Sequence, residues 1–223
     1  MPRTRSGVPS IVPDTQRTTL ITLTLCVLAG VLYFLSFLSF DLFPLTWICF
    51  VPVLYAIRNS TTKRALLWGW LFGFVTNAGG FYWVVHLISE FGGTPVLVAI
   101  LGFMVLCAFQ GFLMALVIAL VRHADSRLSI APVWSLPIAL VAIEYAYPLL
   151  FPSYIGNSQY KFTALTQIVE ITGVLGLSAI IGFSNGAAYE LLTARITARR
   201  IAPLRVLVPL LIFGMSAIYG VLR

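Results

Sequence analysis

Residues 94–121 read TPVLVAILGFMVLCAFQGFLMALVIALV, a run of aliphatic and aromatic side chains with no charged residue before Arg122. A helix crossing a hydrocarbon core about 30 Å thick needs about 20 such residues. In lipid, every backbone N–H and C=O must be paired within the segment or within a closed barrel. A barrel would alternate polar and apolar side chains over segments of roughly ten residues. Here the apolar character is continuous, so the stretch is a transmembrane helix.

Comparable stretches lie on both sides of it. Toward the N-terminus they cover about 65–88, with Gly69, Gly73, Gly79 and Gly80, then about 43–57, with Pro44 and Pro52, and then about 18–38. Toward the C-terminus they cover about 130–151, 163–192 and 204–222. Short connections at 39–41 and 90–93 and a polar loop at 122–127 separate them. The expected fold class is therefore all-α, a polytopic bundle of about seven transmembrane helices, with residues 1–17 as a tail and 18–223 as the membrane domain. Composition agrees: 60% of residues are hydrophobic, only 9% are charged and mean hydropathy is +0.98, whereas a soluble domain has about 25% charged residues. The first stretch is longer than the 7–15-residue core of a secretory signal and lacks its small-residue cleavage site, so it reads as an uncleaved first span.

The net charge of +7 is a matter of topology rather than of nucleic-acid binding. With seven crossings, Arg3, Arg5, Arg17, Arg58, Lys63, Arg64, Arg122, Arg127, Arg195, Arg199, Arg200 and Arg205 fall on the N-terminal side, and only Lys161 and Arg223 on the other. Basic loops are retained in the cytoplasm during insertion. The N-terminus is thus expected inside and Arg223 outside.

An ionisable group within a span costs several kcal/mol unless it is paired or hydrated, which makes it a functional candidate. Glu144, in the fifth span, and Glu170, about two turns into the sixth, meet that description, with an interhelical hydrogen bond as the structural alternative. Glu190 is expected to pair with Arg195 near the cytoplasmic end. His86 follows Trp83 by three residues and shares its helical face, either as a lipid-contacting pair or as part of an interfacial aromatic belt. Gly182 and Gly186 form a Gly-x-x-x-Gly pattern, better read as a close-packing face than as a nucleophile turn around Ser184. The outer segment 151–161, with Pro152 and Gly156 as helix breakers, offers Tyr154, Asn157 and Gln159 as hydrogen-bonding groups at headgroup depth. Cys26, Cys49 and Cys107 all lie in apolar runs and read as small buried hydrophobes. No metal-ligand cluster, phosphate loop, nucleotide fingerprint or hydrolytic triad is present, so neither metal nor cofactor is expected.

Several pieces, in order, resemble the membrane half of the bacterial apolipoprotein N-acyltransferases. Phe40-Asp-Leu-Phe-Pro44-Leu-Thr-Trp47 with Phe50-Val-Pro52 resembles the opening of that family's second span. Gly69-Trp-Leu-Phe-Gly73, Gly80-Phe-Tyr-Trp83 and Phe91-Gly-Gly-Thr-Pro95 resemble its third span and the following turn. Glu144 with Phe151-Pro152 and Gly156-Asn-Ser-Gln159 resembles the fifth span and outer loop; Gln167, Thr172-Gly173-Val-Leu-Gly176-Leu-Ser178 and Asn185 resemble the sixth. Tyr219-Gly-Val-Leu-Arg223 resembles the exit from the last span. The sequence departs from the family pattern at Tyr147, where an Arg is usual, and at Ser153, where a Trp is usual.

The resemblance implies acyl transfer from a phospholipid, through a cysteine thioester, to the N-terminal amine of a diacylglyceryl lipoprotein in the bacterial cytoplasmic membrane. It places the catalytic Glu, Lys and Cys in an outer nitrilase-like domain beginning just after the seventh span. No catalytic residue is accordingly assigned in this chain, and the expectation is a truncated or split form that relies on a separate nitrilase-like subunit. Trp83, His86, Glu144, Tyr154, Asn157 and Gln159 are the expected lipid- or substrate-binding residues. The expected partners are the phospholipid acyl donor and the diacylglyceryl lipoprotein. Two other readings of the residues stand beside this one: a non-enzymatic lipid-binding membrane module, and a small transporter using Glu144 and Glu170 as a proton-coupled pair.

Overall fold

The structure, a computed structural model, describes residues 15–37, 40–198 and 200–223. Arg3, Arg5 and Arg199, and the tail expected before residue 15, lie outside the described residues. The described chain is all helical: α1 (Thr15–Leu35), α2 (Val51–Ile57), α3 (Thr62–Gly80), α4 (Val84–His86), α5 (Val96–Leu128), α6 (Pro132–Ala146), α7 (Thr163–Thr166), α8 (Val169–Thr197) and α9 (Leu204–Leu222). Short 3-10 turns at Phe43–Trp47 and Ile155–Gln159 and a π-turn at Leu87–Phe91 complete the path. Four helices, α1, α5, α8 and α9, are long and apolar enough to cross a membrane, and a fifth joins them if α3 and the segment Val84–Phe91, bent by 65°, count as one span. The stretches Phe43–Ile57 and Pro132–Ala146 are shorter apolar helices. At 1.5 Å per residue, the 15 residues of α6 rise only about 22 Å.

Several boundaries differ from those read in the sequence, each for a local reason. The polar loop expected at 122–127 is helical, because α5 continues to Leu128. There Arg122 pairs with Asp125 at 2.7 Å one turn on and donates from Nε to the Ser60 carbonyl at 2.7 Å. The continuous third span is broken after Gly80, where Phe81 takes a non-helical conformation. The second stretch starts as a 3-10 turn, since Pro44 removes a donor at its opening. The sixth is interrupted at Gly173, whose φ of 68° and ψ of 177° are open to glycine and costly for other residues. Because α7 ends at Thr166 and α8 begins at Val169, Glu170 sits in the first turn of α8 rather than two turns inside, and bonds Arg223 at 3.3 Å. Glu190 pairs with Arg205 at 3.0 Å instead of with Arg195, because α9 folds back alongside the end of α8.

Glycines decide which helices lie closest. On α3, an added Cβ at Gly69 would stand 2.8 Å from Ile118 Cβ, and Gly73 faces the Gly111 carbonyl of α5. On α8, a Cβ at Gly182 would stand 2.8 Å from Pro137 Cα and one at Gly186 2.5 Å from Val133 Cα. The second pair is the close-packing face read from Gly-x-x-x-Gly, set against α6. Between these seams, α1 and α2 close the core around Tyr33, Phe50, Phe72, Leu136, Leu140 and Ile181, all buried. Cys26, Cys49 and Cys107 are buried and free.

Buried Asn185 of α8 joins the halves. Its Oδ1 accepts from the Phe50 N–H at 2.9 Å, and its Nδ2 donates to the Thr46 carbonyl at 2.8 Å and the Ile181 carbonyl at 3.0 Å. Asn185→Ala orphans the Phe50 N–H away from water and takes one of two donors from the Thr46 C=O, which keeps the Cys49 thiol at 3.3 Å. The expected cost is about 2 kcal/mol, measurable as a lowered midpoint in detergent-denaturation titrations.

Candidate functional site

At one end of the bundle, the segment between α6 and α7 turns inward and is held by side chains from four other elements. Gly156 approaches α8 so closely that a Cβ would stand 2.6 Å from the Val174 carbonyl oxygen, which explains the glycine and lets the 3-10 turn sink below the surface. Glu144 is 2% exposed. Its Oε1 accepts from the Ile155 N–H at 2.8 Å, while the neighbouring Gly156 N–H donates to Ser178 Oγ at 3.2 Å.

Gln159, fully buried, fastens the other end of the turn. Its Nε2 donates to the Phe43 carbonyl at 3.1 Å, and its Oε1 accepts from Trp47 Nε1 at 3.1 Å. Ser158 adds a bond from Thr46 Oγ1 at 3.0 Å. Outside these, Asp41 accepts from Tyr160 Oη at 2.9 Å and pairs with Lys161. The entry of the segment is held by Gln110 of α5, whose Oε1 accepts from the Phe151 N–H at 2.9 Å and whose Nε2 donates to Asn77 Oδ1 at 3.2 Å.

Behind the turn lies a hollow of about 20 Å³, lined among others by Tyr33, Asn77, Gln110, Glu144 and Ser153. A single water needs about 10–15 Å³ and two or more polar partners. Glu144 Oε2, which has no hydrogen-bond partner among the described residues, provides one. Ser178 stands beside the carboxylate but does not satisfy that oxygen.

The structure brings Glu144 and Gln159 into one network and spreads the other sequence candidates around it. Trp83 lies at the break after α3, edge-on to Phe151 with centroids 5.8 Å apart. This places the aromatic cluster Phe81, Trp83 and Phe151 beside the entry of the turn. His86, one turn further on, is exposed and belongs to no polar network among the described residues. Tyr154 is half-buried at the start of the 3-10 turn, and Asn157 is exposed, its Nδ2 donating to the Pro152 carbonyl at 3.4 Å. Tyr147, at the departure from the family's Arg, donates from its hydroxyl to the Phe109 carbonyl at 2.6 Å. Glu144 and Glu170 have different partners, Ile155 and Arg223, so they do not form a shared-proton pair.

Sequence reasoning missed Asn77, Gln110 and Tyr33. The first two carried a signal, as amides inside apolar runs whose burial requires partners; Tyr33 carried none. Among the described residues no group of His, Cys, Asp and Glu could hold a metal ion.

Comparison with known proteins gives this arrangement a context. The profile of the apolipoprotein N-acyltransferase N-terminal domain matches residues 29–187, a span that takes in the whole clamp. An apolipoprotein N-acyltransferase from Geobacter metallireducens is 33% identical over 183 residues, covering 80% of this chain and 35% of that protein. One from Coxiella burnetii is 30% identical, covering 77% and 36%, and one from Thermotoga maritima is 31% identical, covering 79% and 37%. The chain thus spans about a third of the length of these relatives.

Proposed function

The chain belongs to the family of the apolipoprotein N-acyltransferase N-terminal domain, and on that premise we propose that it is the membrane domain of a phospholipid-to-lipoprotein acyl-transfer system. The proposal places it in the bacterial cytoplasmic membrane, crossing about seven times with the N-terminus inside. The acyl donor is a phospholipid and the acceptor the N-terminal amine of a diacylglyceryl lipoprotein. The observation that carries this is the family match over 29–187, which contains Glu144, Gln110 and Gln159 together.

The packing supports the topology. The ends of α2, α5 and α8 and the starts of α6 and α9 converge around one cleft bearing Arg58, Arg200 and Arg205. Lys161, Asp41, Glu170 and Arg223 lie together near the clamped turn at the other end. Helices too short to cross alone, such as α6, reach the interface through the turn that follows. In this view the clamp presents a rigid polar turn beside the Trp83–Phe151 cluster, where an acyl chain meets the headgroup layer. Trp83, His86, Tyr154 and Asn157 contact the lipid substrates, while Glu144 and Gln159 hold the surface in shape. Transfer chemistry itself is assigned to a nitrilase-like partner domain; Cys26, Cys49 and Cys107 are buried in the bundle, where a thiolate is disfavoured.

A domain exchange tests this reading. Replacing the matching membrane segment of the Geobacter metallireducens relative with this chain, in cells depleted of their own enzyme, is expected to leave lipoprotein N-termini acylated by mass spectrometry. N-termini that remain unacylated, with the hybrid present in the membrane, would contradict it.

A further inference from the structure

A second cavity, far larger than the hollow behind the turn, lies at the opposite end from the clamped turn. It is a cleft of about 890 Å³ between the ends of α2, α5 and α8 and the starts of α6 and α9, within the usual size of a site for a small molecule. Its wall carries two carboxylates and three guanidinium groups, and the carboxylates are already engaged. Glu190 is held by Arg205 at 3.0 Å, and Asp125 by Arg122 at 2.7 Å from outside the cleft.

Two cations of the wall remain. The Arg58 guanidinium lies over the Tyr55 ring, 3.7 Å from its centroid, with Nη1 donating to the Tyr55 carbonyl at 2.8 Å. That stacking fixes the plane and leaves its other N–H groups for a ligand. Arg200 is exposed across the cleft, and neither arginine has a carboxylate within ion-pair distance among the described residues. Planar guanidinium forks match phosphate geometry better than any other side chain. One side of the rim carries an apolar side chain: Ile196 of α8, 57% exposed, lines the cleft. A ligand here meets cationic donors from Arg58 and Arg200 and an exposed aliphatic side chain at Ile196.

We propose that this cleft seats the phosphate of an anionic phospholipid, gripped by Arg58 and Arg200 while its glycerol and first methylenes lie against the Ile196 rim. The inference rests on the reading of these helices as membrane-crossing. It concerns a lipid held at the basic end, separate from the acyl donor assigned to the other.

The test uses the purified chain in phosphatidylcholine vesicles with spin-labelled phosphatidylglycerol, the fraction of motionally restricted label being read by electron paramagnetic resonance. The chain is expected to favour phosphatidylglycerol over spin-labelled phosphatidylcholine by about fivefold per arginine engaged. Arg58→Gln with Arg200→Gln is expected to abolish that preference, and Arg200→Gln alone, in an exposed connection, to lower it partway. Arg127→Gln, at the same end but outside the cleft, should leave it intact. An equal loss in Arg127→Gln would mean diffuse surface charge and overturn the proposal. Displacement by inorganic phosphate, but not by chloride of equal ionic strength, would identify a soluble-anion site and overturn it as well. The assay reads no acyl transfer, so its failure leaves the role proposed for the other end standing.

Discussion

Gly111→Leu is expected to prevent the bundle from assembling. A Cβ at this position would stand 2.7 Å from the Phe74 backbone nitrogen and 2.9 Å from the Gly73 carbonyl carbon. Both are main-chain atoms of α3 and cannot turn aside as a side-chain tip would. The four heavy atoms of a leucine side chain must then force α3 and α5 apart along the seam where Gly69 and Gly73 also face α5. In a membrane, helices associate through close packing rather than a hydrophobic drive, so a lost seam has little to replace it. Overpacking alone typically costs 1–3 kcal/mol; displacing this entire interface is expected to cost more than about 4 kcal/mol, a size reached only by core disruptions. Yield of monodisperse protein in detergent is the measurement, with Gly214→Ala as its control. Nothing lies within 4 Å of a Cβ at Gly214, and that substitution is expected to be neutral or stabilising by up to about 1 kcal/mol.

The second large effect is expected from Glu144→Ala. Removing the carboxylate leaves the Ile155 N–H unpaired in the interior and enlarges the hollow behind the turn. An orphaned buried donor costs about 1–3 kcal/mol, and the new void adds to that, for a total of about 3 kcal/mol. The loss is local, because Gln159 and Ser158 still fasten the far end of the turn. Amide hydrogen exchange at Ile155 and Gly156 is therefore expected to accelerate far more than in α3 or α5. Glu144→Gln keeps an oxygen that can accept from Ile155 and is expected to retain most of the protection. Equal exchange in all three proteins would show that the carboxylate does not hold the turn.

The sequence patterns that proved legible are those set by one physical constraint at a time. Unbroken apolar runs specified helices because lipid leaves the backbone no other partner, and the four-residue spacing of Gly182 and Gly186 specified a close-packed face. The burial of Cys26, Cys49 and Cys107 followed from their neighbours alone. Pairings that depend on the fold were not legible. Glu190 was assigned to Arg195, five residues away on the same helix, but the return of α9 brings Arg205 closer. Gln110 and Asn77 meet across 33 positions, and nothing local in either run marks the other. The helix through Arg122–Arg127 was missed because polarity suggested a loop, whereas the Asp125 ion pair and the Ser60 carbonyl support another turn. For the site, Glu144 and Gln159 were found as isolated polar residues; their joint task of holding one inward turn required the structure. The family resemblance was carried by ordered fragments, and several of them, including Trp47, Ser178 and Asn185, are the residues that fasten those fragments together.

The proposed function requires the clamped turn and the basic cleft to face opposite sides of the membrane. Thiol labelling with a membrane-impermeant maleimide in spheroplasts reads this directly, and the three buried native cysteines give little background. Asn157→Cys, on the exposed side of the turn, is expected to label in intact spheroplasts, and Asn59→Cys, beside the cleft, only after lysis. Labelling of Asn59→Cys from outside, with Asn157→Cys protected until lysis, would contradict the proposed orientation and remove the turn from the side where acyl transfer is placed.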